Sequence, residues 1–394
     1  MFVVIVAVIV YSKLVDLFKK HQLFYVICGF YGTIFGSVAI VLLLKELYGA
    51  EFVGRTTLAA AGWISYFAIE SYGSLMVNAV FWSFTNSITD SNAAKRGFPL
   101  IIACAQLGAI TVSVLMILSE HIGAIWPLMT LATFFVALIM VGVAYFMSVV
   151  PASDMIGNQA AHKTESKKEG FFEGFFSGLI LLFTRPYLLG VLAVSTLYEI
   201  AKTIVDYQMK AQAAEYPMFA TETGFAKFMG IFGFCTNGLA FAMALLGTSH
   251  LMKKYGLRVC LMVYPICFAI ALLGLLAYYY LGNPTAGELL WATFCVMMLV
   301  TGLSYAVNNP TKEMMYIPTS KDARYKSKGW IDAFGSRTAK AAGARVSNLF
   351  KHSLGELMLY GSTISLGLIG VWTIAAFYVG IKNAQLIRDN KIVE

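Results

Sequence analysis

Three charged side chains lie inside one long apolar segment of the sequence, where a charge is costly and is a functional candidate by default. The segment, residues 186–208, carries Glu199, Lys202 and Asp206. Their spacings of three and seven residues place all three on one face of a helix. Glu199 and Lys202 either pair with each other for structure alone or take part in binding, and the sequence leaves both open. Lys202 and Asp206 are our candidate substrate-binding residues here.

A second apolar segment, residues 329–350, carries the cations Arg337 and Lys340 three positions apart and therefore on one helical face. Two neighbouring cations in a membrane cavity suit a polyanion, because arginine offers a planar fork of donors and lysine a mobile point charge. Small residues surround this pair and let neighbouring helices approach closely. We therefore expect both side chains to project into a polar cavity, in contact with substrate.

An isolated acid, Glu70, lies in the middle of the apolar segment 60–86 and has no ionic partner on its own helix. It is a further candidate for substrate binding, because an acid inside a membrane is costly and is a functional candidate by default, with a purely structural role as the alternative. Nothing comparable indicates an enzyme. The phosphate-binding pattern Gly-x-x-x-x-Gly-Lys-Ser/Thr is absent, and no catalytic triad or zinc-ligand spacing stands out. We expect no catalysis, no metal and no cofactor.

The composition decides the class of protein. Of 394 residues, 59% are hydrophobic and 13% are charged, whereas a soluble domain carries roughly 25% charged residues. The mean hydropathy is +0.72, and the apolar residues fall in blocks of about 20, the length that crosses a bilayer. We predict eleven spans, the first of half length: 1–12, 22–44, 60–86, 98–118, 124–150, 186–208, 223–248, 258–281, 288–308, 329–350 and 357–381.

The basic residues indicate membrane topology and not nucleic-acid binding, although the net charge is +8. Lysine and arginine number twenty in one set of loops. The opposite set contains four, namely Lys45, Arg55, Lys210 and Lys351. Because basic loops stay in the cytoplasm, we expect a cytoplasmic C-terminus in an inner membrane. The six cysteines lie within apolar blocks without close pair spacing, which is typical of packing residues.

The two halves of the chain contain similar motifs in the same order. Lys19-Lys20 after the first span matches Lys253-Lys254 after the seventh, and Asn86-x-x-x-Asp90 matches Asn309-x-x-x-Glu313. Parallel repeats around a cytoplasmic linker indicate an all-α, major-facilitator-like transporter of two six-helix bundles. Eleven of the expected twelve helices are present, and the repeat implies that the absent one precedes Met1.

The repeat also predicts the domain boundaries. Residues 1–150 form an N-terminal bundle that lacks its first helix, and 186–394 form a C-terminal six-helix bundle. Residues 151–185 form a cytoplasmic linker, whose phenylalanine-rich end indicates an interfacial helix. We expect a monomer in the lipid bilayer.

Two long motifs carry a resemblance to a known family. The sequences NPTKEMMYIPTSKD at 309–322 and KGWIDAFGSRTAK at 328–340 resemble the nucleotide translocases, the ATP/ADP exchangers and nucleotide importers of rickettsiae, chlamydiae and plastid inner envelopes. A weaker resemblance is FWSFTNSIT at 81–89, which contains Trp82 and Asn86. Together with shorter matches, the resemblance covers nearly the whole chain.

The resemblance implies roles for particular residues. The family uses acids in its fourth and seventh helices, and Glu70 and Asp206 look like their counterparts. It uses basic residues toward the end of the chain, for which Lys312 and Lys340 are the candidates. Supporting positions are Asn86, Asn309 and Trp82, the last as a ring that stacks on the base.

Three departures from the family put the substrate in question. The family's first-helix lysine has no counterpart here, Asp206 stands where glutamate is usual, and Ala93 stands where an acid is frequent. The resemblance implies a transporter that exchanges ATP for ADP, or imports nucleotides, by alternating access. A proton-coupled carrier of another organic anion and a membrane protein that transports nothing remain the alternatives.

The asymmetry of basic residues yields a test of topology. A reporter inserted within 155–168 should report the cytoplasm, and one within 282–286 the outer side, because positively charged loops are retained inside. A cytoplasmic reading at 282–286 would break the span assignment.

Overall fold

The computed structural model describes residues 20–73, 91–122, 124–150, 179–246, 248–320, 330–389 and 391–393, with the positions 14, 18, 76, 80–81, 84–85, 323 and 327–328. These residues are helical nearly throughout, and no strand occurs among them. A helix satisfies its own backbone hydrogen bonds, which lipid requires of every spanning segment. The prediction of an all-α membrane protein is confirmed.

Five helices are described before residue 151. They are α1 (Lys20–Tyr48), α2 (Ala50–Val53), α3 (Arg55–Tyr72), α4 (Ser91–Ile122) and α5 (Trp126–Val149).

Eight more helices are described after residue 185. They are α6 (Pro186–Glu215), α7 (Glu222–Leu246), α8 (Thr248–Gly282), α9 (Ala286–Leu303), α10 (Asn309–Met315), α11 (Ser336–Leu349), α12 (Leu354–Glu356) and α13 (Ser362–Arg388).

Eight helices in the described part of the chain are long and apolar enough to cross a membrane. The predicted segments 60–86 and 329–350 are not among these eight. In the second of them, α11 has only 14 residues and carries three cations, which lower its hydropathy. The first predicted segment, 1–12, lies outside the described residues. The total of eleven spans therefore stays a prediction.

The chain divides into two compact units, one drawn from Met1–Gly108 and Leu115–Ser166, the other from Ala109–Val114 and Lys167–Glu394. The predicted boundaries at 150 and 185 remain predictions. In the first unit α1 packs closely against α5. A Cβ added to Gly32 of α1 would lie 3.4 Å from Cγ1 of Val136 on α5. The Tyr31 hydroxyl donates a hydrogen bond of 2.8 Å to Ser71 and so joins α1 to α3.

The second unit is built around α6, whose buried positions recur along its length. Its apolar core includes Tyr198, Tyr264 of α8 and Trp372 of α13. Tyr264 and Trp372 meet edge to face with ring centroids 5.1 Å apart. Such aromatic contacts stabilise the packing beyond the effect of the area that they bury. They hold α8 and α13 against α6.

Three π-helical turns interrupt the second unit, at Ser304–Asn308, Ile331–Gly335 and Leu357–Gly361. A π turn leaves backbone carbonyls poorly paired and is frequent at functional sites. The first π turn leads directly into α10 and the second into α11. Both helices that carry candidate cations near the end of the chain therefore begin at such a turn.

Candidate functional site

The candidate site is organised by α6, which brings an acid into the buried interior of the second unit. Pro186 begins this helix, where its missing N–H costs nothing because first-turn donors have no helical partner. About three and a half turns further on, Tyr198 and Glu199 are each only 8% exposed. A buried acid requires a partner, since an uncompensated charge is strongly destabilising.

Lys340 of α11 is that partner. Its Nζ lies 3.7 Å from Oε1 of Glu199, and the two side chains are 51% and 11% exposed. The pair therefore joins a buried acid to a cation that is open on its other side. Glu199 was predicted to pair with Lys202 if its role were structural, and the ion pair is instead made across two helices.

The close approach of α11 to α6 depends on Gly343. A Cβ at this position would lie 2.8 Å from the backbone oxygen of Ile200 and 2.8 Å from Cβ of Thr203. Both atoms belong to α6, and a backbone oxygen cannot move aside cheaply. The predicted role of small residues in this segment, close packing against a neighbouring helix, agrees with this contact.

Aromatic rings hold two further lysines. Nζ of Lys312 lies 3.7 Å from the centroid of the Tyr198 ring, and Nζ of Lys202 lies 6.0 Å from that of Tyr305. A cation–π contact attracts the ammonium group without neutralising its charge. Lys202 forms no ion pair within 4.0 Å in the part of the chain that the structure describes. Its charge is thus available to an anion.

Asp206 pairs with Lys210, with 2.6 Å between Oδ2 and Nζ, at the i,i+4 spacing. The assignment of Asp206 to substrate binding stays a prediction. We expected Lys210 to lie in an outer loop, and this expectation is wrong. The reason is that α6 continues to Glu215 and does not end near residue 208. Lys210 is therefore helical, one turn beyond Asp206.

Among the described residues, the cluster on α6, α10 and α11 contains four lysines (Lys202, Lys210, Lys312 and Lys340) and two carboxylates (Glu199 and Asp206). Lys202 is within electrostatic reach of Glu199, Asp206, Lys340 and Lys210. Lysines in the membrane interior favour anionic partners, because an uncompensated charge there is costly. The arrangement can therefore bind a polyanion, and its lysines can exchange protein carboxylates for ligand oxygens.

The remaining predicted residues are placed as follows. Arg337 is half-buried on α11, three positions before Lys340, and Asn309 is exposed at the start of α10. Glu70 is half-buried on α3 in the first unit. Trp82 and Asn86 lie outside the described residues. The assignment of all these residues to substrate binding stays a prediction.

The sequence did not lead us to Tyr198 and Tyr305 as cation partners. Tyr198 precedes Glu199 directly, so the aromatic next to an intramembrane acid was the available indication. Tyr305 lies within a π turn, whose extra residue changes the direction of the side chains and cannot be inferred from a regular helical spacing. Among the described residues, no group of three or more His, Cys, Asp or Glu could hold a metal.

Apolar helices that enclose a lysine-rich cluster define a multi-pass membrane transport protein for an anionic substrate. Residues 1–383 match the family described as the TLC ATP/ADP transporter. The chain belongs to this family of carriers, which places it in a bacterial or plastid membrane.

Curated relatives cover most of the chain at low identity. The ADP,ATP carrier protein 1 of Rickettsia prowazekii is 25% identical over 88% of this chain and 76% of its own length. The ADP,ATP carrier protein 2, chloroplastic, of Arabidopsis thaliana is 25% identical over 93% of this chain and 65% of its own length. The ADP,ATP carrier protein 1 of Chlamydia pneumoniae is 23% identical over 94% of this chain and 80% of its own length. The resemblance found in the sequence is confirmed.

The contact at Gly343 yields a prediction about stability. Gly343→Ala should force α11 away from α6 and destabilise the protein by about 1–3 kcal/mol, the usual cost of overpacking. The matched control is Gly367→Ala on α13, where a Cβ meets nothing within 4 Å. Thermal unfolding of the purified variants in detergent measures the difference. Equal midpoints for the two variants would mean that α11 does not pack closely at this position.

Proposed function

We propose that this protein exchanges ATP for ADP across a membrane by alternating access, with the lysine cluster of the second unit binding the phosphates. The observation that supports the proposal most is the ion pair between the half-exposed Lys340 and the buried Glu199. The names of the rickettsial, chlamydial and plastid relatives support the choice of nucleotide. Nothing is chemically converted, and no cofactor is required.

Charge balance gives a mechanism for binding. Glu199 forms an ion pair with Lys340, and Asp206 forms one with Lys210. A di- or triphosphate brings several negative charges and competes with the carboxylates through charge-assisted hydrogen bonds. Lys202, Lys312 and Arg337 then supply further positive charge.

The balance between lysines and carboxylates also explains why the carrier would exchange one nucleotide for another. An empty carrier that closed around its site would hold its lysines in a dry interior either unpaired or locked to the carboxylates, which is costly. Reorientation is therefore fast only with nucleotide bound. Glu70 would take part in substrate binding, and Trp82, Asn86 and Asn309 would contact the bound nucleotide. The proposal includes a cytoplasmic C-terminus, an inner-membrane location, a monomer and no nucleic-acid partner.

Uptake of labelled ADP into bacterial cells that express the gene tests the exchange. Uptake should require internal ATP or ADP and should fall when the internal pool is depleted. Uptake that instead follows the proton gradient, and does not depend on internal nucleotide, would favour a proton-coupled importer. No uptake of any nucleotide in well-expressing cells would contradict the proposal.

Lys340→Gln in the same cells tests the site. The substitution removes one charge-assisted contact, worth about 1.5–3 kcal/mol, and should weaken nucleotide affinity roughly 10- to 150-fold. The loss should grow with the number of phosphates, while surface expression stays normal. Lys351→Gln, an exposed lysine beyond the end of α11, is the control and should change little. Unchanged affinity in Lys340→Gln would remove Lys340 from the site.

A further inference from the structure

A second basic cavity lies away from the lysine cluster, between the start of α6 and the end of α13. Its volume is about 590 Å³, and it shares no residue with the candidate substrate site. The cations that line it are Arg185, Lys382 and Lys391, and no carboxylate lines it in the described part of the chain.

The wall of this cavity is held by hydrogen bonds from three segments. The Val393 N–H donates to the Pro318 carbonyl, and the Ser320 N–H donates to the Val393 carbonyl, each at 2.9 Å. These bonds fix the C-terminal segment, which contributes Lys391. Asn383 of α13 donates a hydrogen bond of 2.7 Å to the Tyr187 hydroxyl of α6. These hydrogen bonds fix the backbone segments that carry the three cations.

Among the residues that the structure describes, no acid balances the charge of the cavity. Within the described residues, Arg185, Lys382 and Lys391 form no ion pair within 4.0 Å. Three neighbouring cations repel one another, and the cost falls when an anion enters. The chemistry of the lining suits a phosphate group, because arginine and lysine donate charge-assisted hydrogen bonds to its oxygens.

An exposed apolar stripe continues from the cavity along α13. Tyr378 lines the cavity, and Ile374 and Val371 follow it at spacings of four and three, on the same face as Lys382. Their exposed fractions are 40%, 71% and 56%. A basic end, a tyrosine and then aliphatic side chains match the order of headgroup, interface and acyl chain in a bilayer. A free phosphate compound would leave this stripe unused.

We propose that this cavity binds an anionic phospholipid, with its headgroup phosphate on Arg185, Lys382 and Lys391 and an acyl chain along Tyr378 and Ile374. Basic pockets between membrane helices bind acidic headgroups in this way. The lipid would tie the C-terminal segment to both α6 and α13 and stabilise the second unit.

Native mass spectrometry of the purified full chain tests the proposal, with phosphatidylglycerol and phosphatidylcholine titrated separately. Phosphatidylglycerol should bind more tightly. The double variant Arg185→Gln/Lys382→Gln should lose about 25-fold of that affinity, at about fivefold for each cation near a membrane surface. Arg388→Gln is the control, because Arg388 lies at the same end of α13, does not line this cavity and contacts Asp389.

A charge-preserving variant and a displacement experiment complete the test of lipid binding. The charge-preserving double variant Arg185→Lys/Lys382→Arg should retain binding, which separates loss of charge from loss of folding. Equal binding of the two lipids, or of the wild-type protein and the Gln variant, would overturn the proposal. Displacement of phosphatidylglycerol by millimolar inorganic phosphate or ATP would also overturn it, because the cavity would then take soluble phosphates.

Discussion

The cost of placing charge inside a membrane is the constraint on which the second unit depends. Glu199 is almost completely buried, and the cation that pairs with it within 4.0 Å comes from another helix. The partner, Lys340, reaches it only because Gly343 lets α11 lie against the backbone of α6. Because Lys340 is half exposed, water screens the pair on one side and its net contribution to stability is small. Such a pair is suited to a site in which substrate replaces one partner.

Aromatic rings and π turns complete the same arrangement. The Tyr198 ring, packed against Trp372 with 6.0 Å between centroids, gives Lys312 a favourable surface inside an apolar core. The π turn at Ser304–Asn308 presents Tyr305 to Lys202 and then continues into α10. Lysines on rings and lysines beside carboxylates all remain charged, but only those beside carboxylates must exchange an anionic partner when a ligand binds. The contacts of the cluster are therefore of two kinds, which is a physical basis for coupling substrate binding to a change of partner.

Much of this could be predicted from the sequence. Apolar blocks predicted the helices α1, α5, α7 and α9 to within five residues at each end, since hydropathy depends on local composition alone. The spacing of Lys202 and Asp206 correctly placed both on one helix. The partners were less predictable. Lys210 was assigned to a loop because hydropathy falls before α6 ends, and the pairing of Glu199 with Lys340 depends on packing between segments 141 positions apart, which no local pattern contains. The π turns could not be read from a regular spacing.

The central claim is that Glu199 and the nucleotide phosphate compete for Lys340. Equilibrium binding of labelled ADP to purified Glu199→Gln tests it most directly, with Asp206→Asn as a parallel removal of the other carboxylate. If the competition is real, Glu199→Gln should bind ADP about fivefold more tightly, the equivalent of about 1 kcal/mol for a partly exposed ion pair. A fall in ADP affinity in a variant that is folded and monodisperse would contradict the account, because the ion pair would then support the site and not compete with its ligand.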